Sequence, residues 1–118
     1  MNRARQAIES RYNGICTVYE YMSVKDEVTK LTEQKEVATL ENQPCKLSYE
    51  KINATDTNGA AIQSMGTKLF ISPEVEIKPG SKIVVTQNGV TTEFSNSGKP
   101  AIYTNHQEIM LKLFEDYA

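Results

Sequence analysis

The chain has no tryptophan, a single histidine and only two cysteines among its 118 residues. With His106 alone, a His-pair or HExxH zinc site is excluded, because catalytic zinc takes three protein ligands. Cys16 and Cys45 lie far apart, without a CxxC, whereas a secreted disulfide scaffold of this size carries about four or more. They read as reduced, buried strand thiols behaving as small hydrophobes. A Cys16–Cys45 bridge stays open if their strands pair. Glycines 59, 66, 80, 89 and 98 are dispersed among turns and form neither GxGxxG nor GxxxxGK[ST], so no phosphate-cradling loop is present. Apolar runs last only a few residues, far short of the roughly 18 that a spanning helix needs. Met1–Arg11 is charged throughout and lacks an apolar signal core. The expectation is therefore a protein made and working in a cytosol, with no membrane partner.

Charge of one sign is also missing. Lys and Arg number 13 against 15 Asp and Glu, a net charge of −2. Residues 1–59 carry 8 basic and 9 acidic side chains and the remainder 5 and 6, so no basic lobe is hidden. That balance argues against a protein living by non-specific attraction to duplex DNA. A Cys16/His106 nucleophile–base pair would need both groups in one cleft with a third orienting the imidazole, yet Cys16 sits in an alternating apolar strand. The acidic residues alternate outward beside Lys or Thr, and Asp26-Glu27 and Glu115-Asp116 read as solvated charges, leaving a glycosidase-type carboxylate pair without support. The reading is a non-enzymatic protein with no metal and no cofactor. Tyr19, Tyr21 and Tyr49 on a small barrel are the one feature favouring single-stranded nucleic acid; without a basic stripe they are better read as core or interface residues.

What is present is β-rich. Asn2–Tyr12 reads as a short amphipathic helix with Ala4, Ala7 and Ile8 on one face. It is too short to stand alone in water and must dock on its own domain or a neighbouring subunit; Arg3, Arg5, Ile8 and Arg11 are its candidate interface residues. Ile15–Met22 is β-branched and aromatic and predicts the first strand, with Cys16, Val18 and Met22 sharing a face. Val24–Gln34 has the texture of an exposed hairpin loop. Lys35–Leu40 and Cys45–Ile52 are extended, with Pro44 marking a bulge, bend or edge between them. Strands follow over Thr67–Ser72 and Lys82–Gln87. Asn88-Gly89, flanked by Ile83–Thr86 and Val90–Phe94, predicts a two-residue type I′ hairpin. Ala101–Thr104 is extended. Gln107–Phe114 fits a helical face or an alternating strand, and the strand is preferred because its neighbours are strands.

One segment stands apart: Asn53, Ala54, Thr55, Asp56, Thr57, Asn58, Gly59, Ala60, Ala61, Ile62, Gln63, Ser64, Met65 and Gly66. Small, polar and carrying one charge, it reads as a long inter-strand loop, a length that inside a compact domain is usually functional. The fold expected is a single domain over residues 1–118, a small antiparallel β-barrel of about six strands with a helix over 1–12 and a loop over 53–66.

The runs Thr67–Pro73, Ile77-Lys78-Pro79-Gly80-Ser81-Lys82-Ile83 and Gln87-Asn88-Gly89-Val90 resemble those of head-completion proteins of tailed bacteriophages and prophages, also called head–tail stoppers. Ser97–Ile109 and Tyr12–Tyr19 are similar to the same family's closing and opening segments, so the likeness covers nearly the whole chain. The resemblance implies a homo-oligomeric ring docked below the portal and adaptor proteins after packaging. In that ring a long loop reaches the channel, helps retain DNA without sequence specificity, and the assembly attaches the tail. The position matching that loop is Asn53–Gly66. The implied location is the virion head–tail junction, assembled in the bacterial host cytoplasm. A tail-terminator or tail-completion connector would use much the same barrel, and a small single-stranded nucleic-acid-binding barrel is the more distant alternative.

Overall fold

The computed structural model describes residues 3–55 and 61–115. A helix α1 (Arg3–Glu9) precedes seven strands: β1 (Gly14–Lys25), β2 (Thr32–Thr55), β3 (Ala61–Ile71), β4 (Lys82–Gln87), β5 (Val90–Asn96), β6 (Ala101–Ile102) and β7 (Gln107–Leu113). They form one seven-stranded sheet in the order β3-β2-β1-β4-β5-β7-β6, with β3 also bonded to β7, and every pairing is antiparallel.

Period-two alternation decides which side chains face inward. Cys16 and Val18 of β1 stand opposite Val85 and Ile83 of β4. Cys45 and Leu47 of β2 stand opposite Ile71 and Leu69 of β3, and Leu69 in turn opposes Ile109 of β7. All of these are buried and, with Phe94, Leu111 and Ile77, make one apolar core. Cys16 and Cys45 are free thiols within it. A hydrogen bond between them, together with burial, pushes the Cys45 thiol well above the ordinary range.

Local signals behave as their sterics require. Asn88 and Gly89 take φ of 53° and 77°, the positive pair a type I′ turn demands. The C-terminal segment is strand, with Gln107, Ile109 and Leu111 buried in alternation. Pro44 does not divide the chain. It stands one residue beyond the β2–β3 ladder, which begins at Cys45, and β2 runs through it for 24 residues. Register shifts against β1 fall between Cys16 and Val18 and between Val18 and Tyr19. There Asn42 takes a positive φ of 52°, as expected of bulges that bend a long strand.

The small barrel of about six strands with one long loop is corrected on three counts. Seven strands share the sheet. Most of the expected loop is strand: Asn53–Thr55 ends β2 and Ala61–Gly66 opens β3, paired from Thr55↔Ala61 to Glu50↔Gly66. Residues 56–60 lie outside the described residues. Finally, the radius of gyration is 17.0 Å, against about 13–14 Å for a compact domain of this length.

Two ribbons account for that extension. β4 leaves β1 at Tyr19, so Glu20–Lys25 and Val37–Thr32 pair only with each other among the described residues. At the opposite end β7 leaves β3 at Thr67, and Glu50–Thr55 and Ala61–Gly66 form a second two-stranded ribbon. β2 supplies one strand to both. At the root of the first ribbon, Lys82 Nζ lies 2.8 Å from Glu36 and 3.4 Å from Glu93, with the Tyr19 ring 5.3 Å away. The bond to Glu36 raises the Lys82 pKa above its usual value.

Candidate functional site

The helix brings two of the four expected interface residues, Ile8 and Arg11, to one groove, and its docking explains how. Nothing in α1 is buried; Ala4 and Ala7 are exposed and Ile8 is half-buried. Polar contacts hold it instead. Arg5 pairs with Glu74 and, at 2.6 Å, with Glu9, while Ser72 Oγ donates to Glu9 at 2.9 Å. Arg5 keeps the Glu74 carboxyl below the usual carboxylate range. The receiving turn is itself fixed from beneath: the buried Gln107 amide donates to the Ser72 carbonyl at 2.9 Å and the Val75 carbonyl at 2.5 Å. Arg5 is thus committed to holding the helix, whereas Arg3 and Arg11 are exposed.

Because α1 docks through its polar side, its apolar side overhangs the outer face of the sheet. Ala7, Ile8, Arg11, Tyr12, Lys46 and Phe70 line the resulting groove, about 330 Å³ in volume. Lys46 and Phe70 are directly paired across β2 and β3. The Tyr12 hydroxyl is buried there with no hydrogen-bond partner among the described residues. Burial, and then the nearby Glu9 charge, raises its pKa. Sequence reasoning missed Tyr12, Lys46 and Phe70, since only tertiary structure joins them to the helix.

Next to the groove, Phe70 meets an aromatic cluster. The Tyr103 and His106 rings stack at 4.8 Å, and Phe70 lies 5.9 Å from His106. His106 Nε2 is 2.9 Å from Glu108, which also takes Lys68 at 3.1 Å. The bond to His106 comes first in depressing the Glu108 pKa, and Lys68 adds to it. This cluster separates the only histidine from the thiols: Cys16 is in the core beside Cys45, whereas His106 is half-exposed beside Tyr103. Among the described residues no three His, Cys, Asp or Glu side chains are grouped to hold a metal. No helix among them is long and apolar enough to cross a membrane.

The expected channel segment occupies the distal end of the β2–β3 ribbon. Beyond Lys51, its only charge before Lys68 is Asp56, which lies outside the described residues. The first ribbon offers a different tip. Asp26 Oδ1 accepts the Val28 and Thr29 amides at 2.8 and 3.2 Å, and Lys30 takes a φ of 64°. This turn presents Val28 at 90% exposure and Leu31 at 63%. Two apolar residues in an otherwise polar loop were the available sequence signal.

No family model and no curated protein matches the chain. Among solved structures it is similar to the xkdH protein of the phage-like element PBSX from Bacillus subtilis, with a TM-score of 0.51 and 12% identity. The likeness covers 84% of this chain and 91% of that one. At that identity what is shared is the fold: a mainly β chain laid out as in a protein of a phage-like element.

Proposed function

We propose that this chain is a structural protein of a tailed phage or prophage virion, acting in head completion at the head–tail junction. Copies assemble in the host cytoplasm as a ring below the portal and adaptor proteins, and the ring receives the tail. The observation that carries this reading is the β2–β3 ribbon. It projects beyond the sheet with no further strand to pair it among the described residues, and from Ile52 to Thr67 it bears one charge, Asp56. Asn53–Gly66 is the channel segment in this reading: rich in Ala, Gly, Ser and Thr and without cations, it obstructs a polyanion without gripping it. The fold shared with a phage-like-element protein supports the same setting.

The test replaces Asn53–Gly66 by a short Gly/Ser turn joining Ile52 to Thr67 and assembles particles with that variant. Heads should still join tails, while packaged DNA leaks from heads awaiting a tail. Normal DNA retention by heads carrying the folded variant overturns the channel role. Cross-linking of the wild-type chain to tail-tube protein alone, with no link to portal or adaptor, moves it to a tail-terminator position.

A further inference from the structure

We propose that the tip of the β1–β2 ribbon, Asp26–Leu31, docks into the groove beneath α1 of a second copy of this chain. The inference supplies the contact that the ring reading above requires, and rests on that reading for its setting in the particle.

Both halves are exposed and complementary. Val28 and Leu31 are apolar side chains held out on a turn whose backbone is already fixed by Asp26. Beside Val28, the Glu27 carboxylate has no ion-pair partner among the described residues. The groove has an apolar floor of Ala7, Ile8 and Phe70, flanked by Arg11 and Lys46. Neither cation is ion-paired among the described residues. With Asp26 and Glu27 against Lys30 the tip carries a net charge of −1, and with its apolar pair it matches an apolar slot with basic rims, the arrangement that steers and orients association. Such a tip entering the slot also excludes water from Val28, one of the most exposed apolar side chains in the molecule.

Geometry makes the partner another copy. The groove is built at Lys46 of β2, and the tip immediately precedes Thr32, the first residue of the same strand. At ~3.3 Å per residue, those positions lie about 46 Å apart along the strand before bending. The ribbon leads away from its own groove, so different patches of the two copies meet. A contact of that kind closes into a ring when the rotation between copies permits, and otherwise extends as a filament.

The experiment is a charge swap in the full-length chain, read by sedimentation velocity over a concentration series. Glu27→Lys and Arg11→Glu should each weaken self-association about tenfold, and the double variant should return it to within about threefold of wild type. Both side chains are exposed, and unchanged thermal melting verifies the fold. In parallel, Val28→Cys and Ala7→Cys chains are mixed and oxidised, in solution and in assembled heads; the native thiols are buried and do not interfere. A mixed Val28–Ala7 disulfide supports the proposal. Single variants that associate like wild type, a double variant no better than the singles, or the absence of the mixed disulfide in both settings overturns it. A mixed disulfide from a chain not found at the head–tail junction refutes the proposed function and leaves this contact standing. A junction protein lacking the disulfide does the reverse.

Discussion

The side chain of Gln87 acts as one more residue of β1 for Leu47. Its Oε1 accepts the Leu47 amide at 2.8 Å and its Nε2 donates to the Leu47 carbonyl at 3.2 Å. β1 begins at Gly14, opposite Cys45, so Leu47 has no β1 residue to bond. A primary amide sets an N–H donor beside a carbonyl acceptor at about the spacing of a peptide group, and Gln87 reaches across the end of β1 from β4 to supply both.

Gln87→Ala should therefore leave both backbone groups of the buried Leu47 unpaired. A cost of about 2–3 kcal/mol is expected, lowering the thermal midpoint by roughly 5–15 °C, as read by calorimetry.

Gly14 is the clearance for that bridge. A Cβ at this position would stand 3.0 Å from Gln87 Oε1, 3.2 Å from the Cys45 carbonyl and 3.4 Å from Cys45 Sγ. Gly14→Ala should cost about 1–3 kcal/mol. In a double-mutant cycle the cost should shrink when Gln87 is Ala, because the nearest clash has gone. Simple additivity would show that the two positions are not coupled.

Asp26→Ala should free the Val28 and Thr29 amides, and their hydrogen exchange should accelerate. The thermal midpoint should move little, because the ribbon tip contributes no side chain to the core. A large fall in the midpoint would mean that the ribbon is part of the cooperative fold.

Acid should weaken the His106–Glu108–Lys68 cluster. The Glu108 carboxyl is depressed when folded, so its stabilisation is complete above the unfolded carboxylate pKa of about 4.3. It is lost as pH falls through the lower folded value. Glu108→Gln should flatten the dependence of stability on pH below about 4.5 and leave the neutral-to-alkaline side unchanged, as followed by denaturant melts across pH.

Both thiols should resist an aromatic disulfide reagent in the native protein and react together on unfolding. Cys16 and Cys45 are fully buried, and Cys45 is held protonated by its bond to Cys16 and by burial, whereas the thiolate is the reactive form. Rapid labelling of one cysteine under native conditions would contradict this packing.

The features legible in sequence are those decided by near neighbours. Asn88-Gly89 declares its turn because few residue pairs tolerate two positive φ angles in succession. Cys16/Val18, Cys45/Leu47 and Gln107/Ile109/Leu111 declare their strands because one side of each is buried. Asn53–Gly66 reads as a loop for the converse reason. Beyond Thr67 no other strand flanks the ribbon among the described residues, so apolar alternation is not demanded, and Asn, Ala and Gly are poor strand formers on composition alone. Ladder bonding with β2 overrides that preference. The groove was illegible because it joins Ile8 and Tyr12 to Lys46 and Phe70. The helix face expected to bury Ala4 and Ala7 leaves both exposed, since Glu9 and Arg5 find better partners in Ser72 and Glu74.

The unbroken run of β2 has a mechanical consequence. A pull on the tip of one ribbon passes along a single covalent backbone to the base of the other, crossing the bulged stretch around Asn42. Tension along a strand loads its lateral hydrogen bonds in shear, many at once, rather than peeling them one by one. The stretch of β2 between the ribbons is bonded first to β1 and then to β3, meeting both at Cys45, so it behaves as a tie-rod anchored in the core. The bulges are its compliant joint, where a displacement at one end is taken up or passed to the other.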